Sequence, residues 1–559
     1  MIYERGIMEY KKVVLRAFQY SIMSFSIVLL VSCGNDTSKS PSEVLSNEPT
    51  HVDDKETDKE TAPVDDKETD KEPIKKDSSL PWEKGVLKVS ADKHNIEHTD
   101  GSDFFWMADT AWDIFIRLSD EKIDTYLKNR KALGFNVILM RPVEDQKWQV
   151  HNIGESAFDI DPSTGNKSFK FPNEKCWKHV DAVIKKAEKL GMYIGLLPSW
   201  NMTFTRKTKN GNAPQGIVNV EDAKWYGKWI ANRYKDNKNI IWVMGGDSGP
   251  GNPAGDDRTL IDNDENQRSI IWKKKEKIWN ALATEIHKVV KEKQLITFHT
   301  AGGDTALSLF KDQKWLDFSM GQTGHCVEGD IDFAQTLVTS EYKKSNPLPM
   351  IDGEPKYEGI EKCFYMSERV PKEPKYDGSR FTGEELIETA YRQVFSGAFG
   401  YTYGNHAIWL FWEKPGDFNS SSVPAKSWTE ALDDPGAKYM NHLVNLIKSR
   451  PGSRKPDQKV VGEEPGKEGV YDNPLATKGD GYVFIYQPKY TEAKVNLEKI
   501  SFSVANLTMW SYDPLTGNAK NIPTDKSTNT IELPVSEIKD MVYVLDDKGK
   551  NYGKPGVLK

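Results

Sequence analysis

Ile240-Ile241-Trp242-Val243-Met244-Gly245-Gly246-Asp247 is an apolar run that ends in two glycines and a carboxylate. The run has the length and character of a buried strand, and the glycines hand the chain to a loop whose first polar side chain is Asp247. The same pattern recurs on both sides of it. Short apolar segments at Phe105–Ala108, Val137–Arg141, Tyr193–Pro198, Leu295–His299, Asp317–Gly321, Pro349–Gly353 and Gly400–Tyr403 alternate with amphipathic helical stretches. Alternation of this kind predicts a parallel sheet, and eight turns of it predict a closed (β/α)8 TIM barrel, an α/β fold, over residues 81–452.

The helices between the strands carry their own start and stop signals. Ser119 precedes Asp120 and Glu121, acids favoured at the positive end of a helix dipole, with Ile123 and Leu127 on one face and Gly134 at the end. Asn173 opens a helix that turns Trp177, Val180 and Ile184 inward and stops near Gly191. The stretches Ile278–Val290 and Leu386–Phe395 repeat the pattern. After Pro451 the texture changes to strands and turns, at Tyr482–Gln487, Lys499–Val504, Leu507–Tyr512, Thr530–Pro534 and Met541–Leu545, which predicts a small antiparallel β-sandwich over 453–559.

The N-terminal residues are not part of this fold. Lys11, Lys12 and Arg16 precede an apolar run from Ala17 to Val31 that is short for a membrane span. It ends in Leu30-Val31-Ser32-Cys33, which resembles the lipobox of bacterial lipoproteins. That reading makes residues 1–33 a signal peptide, Cys33 the lipidated residue, and the cell envelope the location, with a lipid holding the protein at a membrane face. Residues 34–80 are rich in Asp, Glu, Lys, Ser and Thr, and the nine residues Val52–Glu60 recur as Val64–Glu72. Such a segment cannot bury enough apolar surface to fold and is read as a solvated tether.

Composition narrows the function. A net charge of -7 gives no basic surface for nucleic acid. The 16 Trp and 22 Tyr supply flat amphipathic rings, most of them for the core. Cys176, Cys326 and Cys363 form no metal pattern; one bridge between the last two is open, with unpaired buried thiols as the default.

Active sites of such barrels form where the strands end. Here the strand ends offer Asp109 and Trp112, Arg141, Trp200 and Asn201, Asp247, His299, Gln322 and His325, Glu354, and Tyr403 with His406. Asp247 and Glu354 follow strands four and seven, which face each other across the mouth. Glycosidic bond cleavage needs such a pair, one to protonate the leaving oxygen and one to attack or to activate water. Trp200 suits a sugar face, whereas Arg141 is equally readable as a structural ion pair. Glu358 and Glu361 follow too far into the loop to displace Glu354. His299, His325 and Asp304 lack metal-ligand spacing, and the acids Asp256, Asp257, Asp262 and Asp264 lack that of an EF-hand, so no metal or cofactor is expected.

Four segments carry a family resemblance: Phe105 to Trp112, Asn136 to Pro142, Trp242 to Asp247 and Asp352-Gly353-Glu354-Pro355. Together they resemble the apiosidase-like barrels of glycoside hydrolase family 140, over about Trp82 to Pro451. The part that follows resembles the collagen-binding-type sandwich that often accompanies them. The resemblance implies Asp247 as acid/base and Glu354 as nucleophile in a retaining double displacement. The strand ends themselves put Trp106, Asp109, Arg141, Trp200, Asn201, His299, Gln322, Tyr403 and His406 forward as residues around a carbohydrate substrate. Relatives release apiose from rhamnogalacturonan II, which makes a monomeric, exo-acting, lipid-anchored glycosidase the expectation. Its rivals are a barrel of other sugar specificity, such as an arabinofuranosidase or galactosidase, and an inert glycan-binding lipoprotein. The Gly-Gly-Asp end of strand four departs from the Asn-Glu of many two-carboxylate barrels, which bears on stereochemistry.

Overall fold

The computed structural model describes residues 80–143, 151–163, 165–200, 217, 219–250, 265–326, 330–364, 378–417, 422–462, 473–537 and 539–558. The signal and lipobox readings, nearly all of the tether, Asn201 and the acids at 256, 257, 262 and 264 lie outside them.

Eight parallel strands form the barrel: β1 Trp106–Thr110, β2 Val137–Met140, β3 Tyr193–Leu196, β4 Ile240–Ser248, β5 Ile296–Thr300, β6 Ser319–Gly321, β7 Met350–Asp352 and β8 Gly400–Tyr403. Pairing runs β8-β1-β2-β3-β4-β5, with β6 paired to β7. Two backbone bonds join the pieces: Asp317 N–H to the Ile296 carbonyl at 3.0 Å and Phe399 N–H to the Met350 carbonyl at 3.1 Å. The ring is therefore complete, as the sequence predicts.

Strand side chains alternate between two layers. Trp106, Ala108, Val137, Leu139, Ile241, Val243, Phe318, Met320 and Ile351 fill the barrel interior. Met107, Ile138, Met140, Ile194, Trp242 and Met244 point the other way, into the helix layer. The principal helices are α1 Asp120–Ala132, α2 Glu174–Lys189, α3 Val220–Tyr234, α4 Glu265–Val290, α5 Ala306–Phe310, α6 Asp330–Tyr342, α7 Gly383–Phe395 and α8 Pro435–Lys448. Several starts are fixed by side-chain caps. Ser119 accepts from the Lys122 N–H, Asn173 from Lys175 and Cys176, and Asn219 from Asp222. Thr382 and Glu385 make a reciprocal capping box on α7. A three-stranded sheet at Leu87–Val89, Ile96–His98 and Asp103–Phe104 precedes the barrel, with Trp82 and Phe104 packed edge-on to Tyr193 at the start of β3.

The C-terminal part holds strands β9 Lys455–Pro456, β10 Leu475–Gly479, β11 Tyr482–Gln487, β12 Ala493–Asn496, β13 Leu507–Tyr512, β14 Ala519–Ile522, β15 Thr530–Leu533 and β16 Met541–Asp547. Six of them form one sheet in the order β9-β10-β11-β16-β13-β14, and β12 pairs with β15 over it. The stretch Lys499–Val504, expected as a strand, is flanked by 3₁₀ turns at Leu497–Lys499 and Val504–Asn506. Its alternating Ile500, Phe502 and Val504 meet the sandwich core without joining a ladder. The other face of the large sheet lies on the barrel. Tyr486 stacks on Tyr391 of α7 with ring centroids 5.5 Å apart, and Arg450 after α8 makes a buried ion pair with Asp546 of β16 at 2.6 Å.

Candidate active site

The site begins where β4 stops being regular. Gly245 and Gly246 have φ of 92° and 93°, and Asp247 follows at 49°, so three successive residues are left-handed. Side chains are excluded at both glycines. A Cβ on Gly245 would lie 2.2 Å from the His299 carbonyl oxygen, and one on Gly246 would lie 2.7 Å from the Trp200 ring. Register shows the result: His299 pairs with Gly245, but Thr300 pairs with Ser248. Gly246 and Asp247 are thus extruded as a bulge, the usual way a strand end re-aims one side chain. Asp247 is the half-exposed member of the site, and Gln322 at the end of β6 donates to its Oδ1 at 2.7 Å.

Glu354 arrives from the opposite side, two residues past β7, and is buried. His325 Nε2 lies 3.1 Å from Oε1, and His299 Nε2 lies 3.3 Å from Oε2. Asp352 supports the turn. It accepts the Glu354 N–H at 3.1 Å and is held by the Thr323 hydroxyl at 2.5 Å and the Gln393 amide at 2.6 Å. Burial pushes the Glu354 carboxyl up, but bonding to His299 and His325 and their charge outweigh it and hold it at about 2. Glu354 is therefore ionised at any ordinary pH. Burial pushes His299 down, and the neighbouring Glu354, Asp247 and Asp352 raise it above its usual value.

Asp247, His299 and Glu354 each offer one atom within 4.8 Å of the others. Three such atoms are a ligand set for a metal only if a His299 lone pair faces the ion. The imidazole instead faces Glu354 Oε2 through Nε2 at 3.3 Å and the Asp247 backbone N through Nδ1 at 3.3 Å, and the neighbouring carboxylates favour its charged form, which has no lone pair to offer an ion.

Around the pair lie aromatic rings and open donors. Trp112 and Trp200 sit 4.8 Å apart between centroids, and His299 is 5.5 Å and 5.6 Å from them. The Tyr357 ring is 4.4 Å from His325. Among the described residues, Trp112 Nε1, the Tyr357 hydroxyl, Trp409 Nε1 and Glu354 Oε2 are buried without an aligned hydrogen-bond partner. These polar atoms lie among aromatic rings and beside two carboxylates, a lining able to exchange hydrogen bonds with a hydroxyl-rich ligand.

The family described as "Apiosidase-like, catalytic domain" matches residues 90–453. The chain belongs to this apiosidase-like family. Residues 455–546 match the domain described as "Putative collagen-binding domain of a collagenase". A solved glycoside hydrolase family 5 protein from Bacteroides vulgatus is 30% identical, with 85% of this chain and 96% of that one covered at a TM-score of 0.69. A second structure, described as a glycoside hydrolase, is also 30% identical at a TM-score of 0.69, covering 85% of this chain and 100% of its own. Among curated proteins none matches the sequence. The protein is accordingly a glycoside hydrolase that acts on carbohydrate.

In this apiosidase-like barrel the sequence-predicted residues divide by strand face. Asp247, Glu354, His299, Gln322 and Trp200 come together at the mouth. Arg141 is beside them, but it spends its guanidinium on Asp113, at 2.9 Å and 3.1 Å, and stacks on Trp200 at 4.8 Å. Four residues lie elsewhere. Trp106 is core, donating to Thr402 at 3.1 Å inside the barrel. Asp109 faces the helix layer and pairs with Arg130 at 2.6 Å and the Tyr126 hydroxyl at 2.7 Å. Tyr403 also faces outward, donating to Glu358 at 2.6 Å, which removes Glu358 from contention as a nucleophile. His406 accepts from Arg380 Nη1 through Nδ1 at 3.0 Å, Arg380 also donates to the neighbouring Gly359 carbonyl at 2.7 Å, and burial with the Arg380 charge pushes His406 down to about 3. Trp112 and Tyr357 went unassigned in the sequence. Trp112 was within reach, because it shares parity with Trp106 and Ala108. Cys326 and Cys363 are disulfide-bonded, against the default of unbridged thiols, and Cys176 is buried outside that bridge.

Proposed function

We propose that this hydrolase is a retaining, exo-acting glycosidase that removes terminal apiose from rhamnogalacturonan II-type pectic oligosaccharides. The observation that carries the glycosidase reading is that an oxygen of Asp247 lies within 4.8 Å of one on Glu354, close enough for both to meet one anomeric centre, while retention is inferred from the family. Glu354 Oε1 is anchored by His325, and Oε2 keeps an open lone pair. In this reading Oε2 attacks the anomeric carbon while Asp247 protonates the departing oxygen. Asp247 then takes a proton from the water that releases the sugar. The sugar itself is inferred from the family.

The test uses the intact protein on rhamnogalacturonan II side chains and on synthetic apiosides, with product identity and first-formed anomer read by NMR. Retention with apiose as product is the expected result. Glu354→Gln and Asp247→Asn are expected to fold and to lose several orders of magnitude in turnover; near-native rates in either would end the assignment. Release of arabinose or galactose in place of apiose would move the specificity and leave the mechanism standing. Anchoring through Cys33 belongs to the same proposal, and the disulfide is in keeping with an exported protein. Labelling with a fatty-acid analogue, abolished in Cys33→Ser, is the check.

A further inference from the structure

The His325 ring packs against Tyr357 at 4.4 Å and Phe364 at 6.0 Å, but few hydrogen bonds fix its direction. Its ring has one hydrogen-bonding contact, Nε2 to Glu354 Oε1 at 3.1 Å, and Nδ1 has no partner among the described residues. Its carbonyl accepts the Cys363 N–H at 2.7 Å. The next residue, Cys326, is bonded to Cys363, 37 residues on in the loop after β7. Cys363 itself sits at a φ of 54°, an uncommon conformation for a non-glycine residue. The loop after β6 is thus pinned to the loop after β7 beside the side chain that grips the carboxylate. A second backbone bond, Gly324 N–H to the Glu354 carbonyl at 2.9 Å, completes the attachment.

We propose that His325 is a positioning residue for the Glu354 carboxylate, and that the Cys326–Cys363 bridge is the clamp that holds it there. The inference rests on the reading of Glu354 as nucleophile. A carboxylate with one oxygen anchored presents the other along a fixed direction, and loss of the anchor lets both oxygens rotate and favours protonation. The groups facing Glu354 are His299 from β5, His325 from the loop after β6, Asp352 and Tyr357 from β7 and its loop, and Asp247 from β4. Removing His325 leaves His299 alone to oppose burial, so the carboxyl rises.

The experiment compares wild type, His325→Ala, His325→Gln, the Cys326→Ser/Cys363→Ser pair and the triple variant carrying His325→Ala. The substrate is the 2,4-dinitrophenyl glycoside of whichever sugar the wild type releases; its leaving group needs no acid, so the rate reports on the nucleophile. His325→Ala is expected to lower kcat at least tenfold with little change in KM and to move the acidic limb of kcat/KM upward by about one pH unit. His325→Gln, which keeps a donor at the same reach, recovers most of the rate. The serine pair shows the same limb shift in smaller degree, and the triple variant is no worse than His325→Ala. A folded serine pair with wild-type kcat and acidic limb, or effects that add in full, overturns the clamp. If the serine pair does not fold, wild type reduced with a phosphine at low temperature, its fold followed by circular dichroism, supplies the same comparison. Glu354→Gln runs as control: residual activity there sinks the nucleophile reading itself, which separates the two failures.

Discussion

Two clusters of buried polar side chains lie on opposite faces of the same barrel wall. At the mouth are Asp247, His299, His325 and Glu354; behind β1 and β8 are Asp109, Arg130, Tyr126, Tyr403 and Glu358. The outer cluster is nearly closed on itself. Asp109 is met by Arg130, the Tyr126 hydroxyl and the Thr110 N–H, and Glu358 by the Tyr403 hydroxyl and the Gly436 N–H. One atom there, Arg130 Nη2, is left over. The mouth is looser: Glu354 Oε2 has His299 Nε2 at 3.3 Å without good alignment, and the Tyr357 hydroxyl has Thr110 and Trp112 beside it, also without aligned hydrogen bonds among the described residues. Saturation marks a group that serves the fold, and loose, unaligned bonding suits one that takes a ligand. Both clusters are charged and buried, so neither property alone tells them apart.

The sharpest way to break that contrast is a mirrored pair of variants. Glu354→Gln removes the charge at the mouth and is expected to abolish turnover while leaving the denaturation midpoint near wild type. Arg130→Ala leaves the Asp109 carboxylate buried without its cation, a change that costs about 3–5 kcal/mol in comparable cases. Urea titration should show that loss, and the folded fraction should retain near-native kcat. A stable Arg130→Ala protein, or one that folds but does not turn over, would mean the two clusters are not functionally separate.

The same contrast explains what the sequence disclosed and what it withheld. The eight strands are legible because each is an apolar run between well-capped helices. The expected Gly400–Tyr403 matches to the residue and six others to within a residue or two, while β4 runs four residues past Met244 because the ladder continues through the bulge to Ser248. Asp247 and Glu354 are legible because each follows a strand through glycine. Asp109 and Tyr403 were misplaced because ending a strand is not the same as facing inward. Trp106, Ala108, Thr110 and Trp112 share one face, so Asp109 falls on the other, and a strict period of two would have exchanged Asp109 for Trp112. Tyr357 had no such signal, since it lies in a loop whose path depends on contacts such as that with Gly404. The Cys326–Cys363 bridge is open to the sequence, since both follow neighbouring strand ends, but spacing alone does not decide it against free thiols.

A smaller effect probes these unaligned groups. If the Tyr357 hydroxyl and Trp112 Nε1 await sugar hydroxyls, Tyr357→Phe should lower kcat/KM by up to about tenfold, the worth of one neutral hydrogen bond of 0.5–1.5 kcal/mol. Its stability should be unchanged or slightly improved, because a buried hydroxyl without an aligned hydrogen bond has been removed. A stability loss with unaltered kinetics would reassign Tyr357 to the closed class.

The gentlest test concerns a half-buried carboxylate with no cation beside it among the described residues. Asp317, just before β6, accepts the Ile296 N–H at 2.7 Å, yet burial pushes it up to about 7, with Glu292 adding to the rise. The sign follows from linkage. A carboxyl that binds its proton more tightly in the folded chain than in the unfolded one stabilises the fold fully below its ordinary value of 3.8, and that contribution is lost as pH climbs towards 7. Asp317→Asn keeps the acceptor and abolishes the titration. Its melting temperature should therefore lack the part of the wild-type decline between pH 4.5 and 7 that Asp317 supplies, and the variant should be the more stable protein at pH 7.5. Glu354, held at about 2 by two histidines, contributes with the opposite sign, its stabilisation lost only as pH falls towards 2. Identical pH slopes for wild type and Asp317→Asn would show that burial without a cation is not what sets Asp317 apart, and would weaken the use of neighbours, rather than depth, to sort this protein's acids.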